Sequence, residues 1–255
     1  MAKPATLMDL RDIPAALGLL TRLPIPVDPD FAQARGAAAA WAYPLVGLVT
    51  AASAWIMAIL ALWIGLPTMV TAGLVVGISV ILTGALHEDG LADTADGLWG
   101  GWTPERRLEI MKDSHIGTYG VAALMIALGL RWQVVAALID GAVLPAALIA
   151  SAVLSRGAMV AVMATLPHAR RGGLSAMVGR PGMPTTLIAC TGAAAIAAAS
   201  AGWGAIFMIP VAILVAAGVA RLAMSRIGGQ TGDILGAVQI LTEVACLITM
   251  LAVMA

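Results

Sequence analysis

The chain has 255 residues, 61% of them hydrophobic and only 11% charged, with 14 Lys and Arg matching 14 Asp and Glu. A soluble domain of this length keeps about a quarter of its residues charged, so a water-covered globule is excluded, and zero net charge offers nothing to a nucleic-acid backbone. The composition predicts an all-α polytopic integral membrane helix bundle. It forms a single membrane-embedded domain over residues 1–255, because open sheet edges cannot sit in lipid and barrel alternation is absent.

In chain order, Leu7, Leu10, Ile13, Leu17, Leu20 and Leu23 recur at three- and four-residue steps. They predict an N-terminal amphipathic helix, lying on a membrane face or packed on the bundle end and stopped by Pro24 and Pro26. Asp9, Arg11 and Asp12 interrupt this stretch, so it is not a secretory signal. Apolar runs of spanning length (roughly 17–25 residues) follow. They cover about 37–64, 69–86, 120–139, 142–166, 184–201, 204–220 and 234–254, about seven transmembrane helices. The fifth and sixth also read as one helical hairpin. Ala and Gly are frequent in them, which suits close helix packing. Cys190 and Cys246 lie singly inside spans and read as core residues.

All Lys and Arg except Arg131 and Arg156 fall in alternate loops or before the first span, from Lys3 to Arg226. The positive-inside rule makes that side cytoplasmic. The expected location is a bacterial inner membrane, multi-pass, with the N-terminus and active site in the cytoplasm.

The stretch HEDGLADTADGLWGG, beginning at His87, follows the second span directly. Residues 87–119 hold Glu88, Asp89, Asp93, Asp96, Glu105, Glu109 and Asp113, half of the 14 acids. If the second span continues as a helix, Asp89, Asp93 and Asp96 share one stripe. Like charges at that spacing repel, so a bound cation is expected, and hard oxygen ligands select Mg²⁺ or Mn²⁺. The interleaved Gly90, Gly97, Gly100 and Gly101 would let a ligand approach the backbone. Thr103 and Pro104 signal the start of a further helix. Asp93-Thr94-Ala95-Asp96-Gly97 also resembles the start of the D-x-x-D-G motif of CDP-alcohol phosphotransferases, although that family's later aspartate pair is not found.

Basic residues lie within reach of such a site. Arg106, Arg107 and Lys112 share the acidic loop, and the segment from Pro167 to Leu174 brings Arg170 and Arg171. Arg156 lies inside the fourth span, as a phosphate contact or a structural ion pair, and Arg131 reads as a structural residue snorkelling from the third. Asp233 opens the last span, and Glu243 lies roughly 15 Å further along it.

Four blocks carry a more specific resemblance. They are Thr21-Arg22-Leu23-Pro24-Ile25-Pro26, Trp41-Ala42-Tyr43-Pro44-Leu45-Val46-Gly47, His87 to Gly97, and Arg106 to Gly120. With Ser155-Arg156, the loop from Leu166 to Leu174 and the run from Thr231 to Ala237, in the same order, the chain resembles the cobalamin synthase family, the adenosylcobinamide-GDP ribazoletransferases. It departs from that family at His115, where an arginine is usual, and at Ile240, where an acid is usual. Neither position can therefore be obligatory here.

The resemblance implies transfer of the adenosylcobinamide phosphate group from adenosylcobinamide-GDP to the 5′-hydroxyl region of α-ribazole or α-ribazole 5′-phosphate. The products are adenosylcobalamin (or its 5′-phosphate) and GMP, with Mg²⁺ as cofactor. On this reading Asp89, Asp93 and Asp96 hold the metal, with Glu88 or Asp113 as a further ligand. His87 or Asp96 is the general base. Lys112, Arg156 and Arg170 contact phosphate, and Asp233 holds a substrate group or a second metal. The partners are the two substrates and the lipid bilayer, without nucleic acid, and a homo-oligomer is left open. Competing readings are a lipid-type CDP-alcohol phosphotransferase and a divalent-cation transporter. A transporter would place its acids nearer the midplane, on repeated, interrupted helices.

Overall fold

The computed structural model describes residues 6–254, so Lys3 lies outside the described residues. The helices are α1 (Asp12–Leu20), α2 (Pro29–Arg35), α3 (Tyr43–Trp63), α4 (Thr68–Thr83), α5 (Leu86–Gly100), α6 (Pro104–Ile110), α7 (Thr118–Asp140), α8 (Leu144–Thr165), α9 (Leu174–Val178), α10 (Met183–Ala201), α11 (Ala205–Ile227) and α12 (Gly232–Met254). Short 3₁₀ turns, Gly36–Ala42 and Gly202–Gly204, lead into α3 and α11. No strand occurs among the described residues, only an isolated bridge between His168 and Gln230.

Five segments are long and apolar enough to cross a membrane, and six if α4 and α5 are one bent span. One of the five, Met183–Ile227, is 45 residues long and turns at Gly202–Gly204, where α10 gives way to α11; both helices pack on α8. That is the helical hairpin read from the sequence. The other anticipated spans correspond to α3, α4, α7, α8 and α12.

Burial separates the centre of the bundle from its rim. The most apolar stretches of α8 and α12 are 78% and 72% buried, against 39% for the α3 segment, 33% for α7 and 22% for the hairpin. Lipid tails are as apolar as leucine, so packing rather than hydrophobic drive holds such helices together. The core accordingly uses small residues, among them Ala51, Ala54, Ala58, Ala72, Ala147, Ala150 and Ala152. Trp55, Ile59, Leu187, Ile213 and Leu214 remain exposed on the rim, where lipid would cover them. Cys190 and Cys246 are free thiols inside the bundle.

The N-terminal helix packs on the bundle end and is shorter than the leucine spacing predicts. Asp12 is fully buried and accepts hydrogen bonds from Arg35 Nε (2.6 Å) and Trp41 Nε1 (2.7 Å). These bonds clamp α1 against the Gly36–Ala42 turn. Leu7 and Leu10 precede the helix and stay exposed, because the backbone turns between Asp9 and Asp12.

The second span does not continue straight into the acids. α4 has 16 residues, about 24 Å, short of the roughly 30 Å hydrocarbon core, and α5 leaves it at 88°. Gly84 (φ 63°) and Ala85 (φ 56°) are both left-handed. Their N–H groups bond back to Ile81 O (3.0 Å) and Val80 O (2.9 Å), a Schellman closure that satisfies the end of α4. Ala85 holds a conformation costing about 1–2 kcal/mol for a residue with a Cβ. Arg22 steadies the corner: its N–H donates to Leu82 O (2.7 Å), and its side chain lies where a Cβ on Gly84 would stand.

Candidate functional site

The corner aims α5 across α12 rather than out of the bundle. The two backbones touch at Gly90 and Gly236: a Cβ on Gly90 would stand 2.8 Å from Asp233 O and 3.1 Å from Gly236 Cα. These glycines are therefore helix-packing positions, and Gly97 likewise faces Arg107 O and Met111. The side chains on the adjoining flank of α5 are the ones open to a ligand, with Asp89 exposed and Asp93 half-buried.

Two pockets open beside those acids. The first, about 150 Å³, has a polar side of His87, Asp89, Arg170 and Asp233; the rest is largely apolar. The second, about 360 Å³, lies between Asp89 and Asp93 on α5 and the loop from Met111 to Ile116, which brings Lys112, Asp113 and His115. Asp89 belongs to both walls.

Pairing between two loops sets Arg170. Ala169 N donates to Gln230 O (2.9 Å) and Gln230 N to Pro167 O (2.8 Å). The Gln230 side chain accepts from the Ser175 hydroxyl (2.6 Å) and donates to His168 Nδ1 (2.9 Å). Thus anchored, Arg170 Nη2 reaches Asp233 Oδ2 at 3.2 Å, while its Nη1 is buried with no hydrogen-bond partner among the described residues. Asp233 also accepts from the Thr231 hydroxyl (3.1 Å), which itself caps α12 by accepting from Ile234 N (3.3 Å). An arginine with a spare donor beside carboxylates can receive a phosphate oxygen.

In the second pocket Asp113 accepts from His115 N (3.1 Å) and pairs with His115 Nδ1 (2.7 Å). Those bonds, the side-chain one first, hold its carboxyl below the usual value, so it is ionised at neutral pH. Lys112 is exposed at the same wall. Thr103 caps α6 by accepting from Arg106 N (3.3 Å), as its position before Pro104 indicates.

The other anticipated site residues point elsewhere. Asp96 is buried, and its two oxygens accept the N–H groups of Gly117 (2.7 Å) and Gly120 (2.9 Å), at the start of α7. A carboxylate suits that helix terminus. Glu88 turns inward to Arg131 (3.6 Å), which also pairs with Glu243. Arg131 is thus buried in an ion network and does not snorkel. Arg156 sits in the same interior, donating to Ala152 O (3.1 Å) and lying 3.9 Å from Glu243. It lines neither open pocket. Gln239, unanticipated, bridges Ser155 (3.2 Å) and Glu243. His87 lies between the two zones: it lines both the first pocket and this interior, and its Nε2 is buried without a partner among the described residues.

The structure therefore gathers Asp89, Asp93, Asp113, Asp233, Lys112, Arg170 and His87 around the two pockets, and separates Glu88, Asp96 and Arg156 from them. Among the described residues no three His, Cys, Asp or Glu side chains are placed to hold a metal ion alone. The donor chemistry, carboxylate oxygen without thiolate, nonetheless fits Mg²⁺, which takes one or two carboxylates and fills its remaining sites with water and phosphate oxygens. Gln230 and Ser175 were missed in the sequence. Gln230 within Gly228-Gly229-Gln230-Thr231-Gly232 was the available signal, a lone amide in a glycine loop.

Fold and site together define an integral-membrane helix bundle with an acid- and base-lined cleft at one end. Residues 12–251 match the family described as cobalamin-5-phosphate synthase. Curated relatives named adenosylcobinamide-GDP ribazoletransferase include those of Azorhizobium caulinodans (44% identical, covering 95% of this chain and 96% of the relative) and Bradyrhizobium diazoefficiens (40%, covering 94% and 92%). A third, from Mesorhizobium japonicum, is 42% identical over 94% of this chain and 92% of its own length. The chain belongs to the cobalamin-5-phosphate synthase family. No solved structure matches it.

Proposed function

We propose that the cleft catalyses the adenosylcobinamide-GDP ribazoletransferase reaction, the activity named for the relatives. The observation that carries this reading is Asp89: it is a wall of both pockets, so groups bound in the two meet beside it. A two-substrate transfer requires such a meeting point.

A ribose hydroxyl oxygen of the acceptor attacks the phosphorus attached to cobinamide, the bond to the GMP phosphate breaks, and the hydroxyl proton leaves. When the acceptor is α-ribazole 5′-phosphate its 5′-phosphate is retained, so the attacking oxygen belongs to a ring hydroxyl rather than to the 5′-carbon. Arg170, with its spare Nη1 donor, and Lys112 bind the diphosphate from opposite sides. Asp89 and Asp93, with Asp233 across the cleft, are the groups that would hold Mg²⁺, which supplies charge neutralisation at the diphosphate when bound. His87, whose side chain lines the first pocket beside Asp89, takes the proton. Asp96 positions α7, Glu88 ties α5 to Arg131 of α7, and Arg156 lies against Glu243 of α12.

The basic loops lie at the same end as the cleft, which supports a cytoplasmic active site in a bacterial inner membrane. The deciding experiment mixes purified protein, Mg²⁺, adenosylcobinamide-GDP and α-ribazole or its 5′-phosphate, with product mass spectrometry. Equimolar GMP and adenosylcobalamin (or its 5′-phosphate) are expected. Turnover of a CDP-activated lipid instead would overturn the assignment.

A further inference from the structure

The first pocket is unlike the second in one respect that the reaction alone does not explain. Its depth is apolar and comes from scattered parts of the chain: Leu20 on α1, Tyr43 on α3, Met159 and Met163 on α8, Val178 on α9 and Leu235 on α12. Its charged side chains and its histidine all come from the α5, Arg170 and Asp233 side, and Ser175 on α9 adds a hydroxyl already donated to Gln230. An apolar cavity of about 150 Å³ is known to hold a benzene-sized ring, and the volume here is about 150 Å³. A corrin ring or a whole guanine nucleotide is far too large for it. The second pocket, about 360 Å³ and bounded by Lys112, Asp113 and Asp93, is the larger and the more polar.

We propose that the first pocket is the acceptor-base subsite: it takes the flat, uncharged heteroaromatic base of the ribazole, edge first, while the ribose stays at the polar mouth beside His87 and Asp89. This rests on the transferase reading above and assigns one substrate to each pocket. The donor occupies the second pocket with its diphosphate beside Asp89, between Lys112 there and Arg170 of the first pocket, and the corrinoid remains outside both. The pocket selects by shape and apolarity, since its deep wall offers no charged side chain to a polar base. Met159 and Met163 make part of that wall adaptable, because an unbranched thioether side chain refills irregular gaps. The site therefore discriminates poorly between bases of similar size and strongly against a phosphorylated or charged ring.

The test uses the purified full chain in lipid nanodiscs, with Val178→Phe to fill the pocket and Met163→Ala to enlarge it. Each substrate is varied while the other is saturating. For Val178→Phe the acceptor KM rises about tenfold or more, and kcat and the donor KM stay within about twofold. For Met163→Ala the preference shifts toward acceptors with a bulkier base. A rise in donor KM with the acceptor KM unmoved would overturn the assignment, as would two variants that both match the wild type. If the occupant were instead a lipid chain, both variants would change turnover only on exchange of nanodisc for detergent, with the acceptor KM constant, and the proposal would fall. Wild-type protein that forms no GMP from adenosylcobinamide-GDP defeats the transferase reading itself. Normal wild-type turnover with an insensitive acceptor KM defeats the subsite alone.

Discussion

Gly90→Ala adds one methyl group where α5 crosses α12. The new Cβ would meet Asp233 O at 2.8 Å, and Asp233 Cα and Gly236 Cα at 3.1 Å. All three are backbone atoms, so no side-chain rotation relieves the contact. Restoring the contact with Asp233 O to about 3.4 Å requires α5 to withdraw by roughly 0.6 Å. Alanine favours a helix over glycine by about 0.8–1 kcal/mol, but overpacking costs about 1–3 kcal/mol, so the sign is destabilising. The larger effect falls on chemistry. Withdrawal pulls Asp89 and Asp93 away from Asp233 and Arg170, and a displacement of about 1 Å can cost about 100-fold in rate. A loss of roughly 10- to 100-fold in kcat/KM is expected, with the variant still inserted and eluting as wild type. The assay is GMP release from adenosylcobinamide-GDP at saturating Mg²⁺. A Gly90→Ala protein with full activity and unchanged or higher thermal stability would refute the claim that this crossing sets the site.

Other outcomes separate the roles of neighbouring residues. Asp89→Asn and Asp93→Asn should each lower turnover by about 100-fold or more, as expected when charge stabilisation of a phosphoryl transfer is removed. Chelation of the wild type should stop turnover until Mg²⁺ is returned, and activity indifferent to chelator would defeat the metal assignment. Asp96→Ala should cost about 1–3 kcal/mol of stability, because the N–H groups of Gly117 and Gly120 lose their acceptor, with the Mg²⁺ requirement of the remaining activity unchanged; a weakened Mg²⁺ dependence would instead make Asp96 a ligand. Arg131→Met should destabilise by about 3–5 kcal/mol, because Glu88 and Glu243 are left buried without their partner. Adding Glu243→Gln should recover part of that loss in thermal denaturation, and no recovery would argue against the pairing.

Much of this architecture can be read from residue order, because hydropathy and charge act locally. Apolar runs mark the helices, and the acids of α5 declare themselves by count. Direction is different. Gly84 and Ala85 sit inside an apolar run, and nothing in hydropathy says that both turn left-handed and swing the next helix by 88°. The register of Asp89, Asp93 and Asp96 is genuine helix register, yet it does not say which neighbour each one meets. Asp96 finds N–H groups at Gly117 and Gly120, and Glu88 finds an arginine on α7, partners fixed only by tertiary packing. Arg131 illustrates the same limit: its place in the third span suggested an escape to the membrane surface, whereas two carboxylates on α5 and α12 hold it inside.

The first pocket draws its walls from both α1 and α12, through Leu20 and Asp233. During synthesis the residues that close it are made far apart in time, and α5 is made before α12 exists to receive it. Until α12 arrives, Asp89 and Asp93 have no opposing Asp233, and a partly made chain carries acids but no cleft. The first pocket is therefore completed only when the last helix docks.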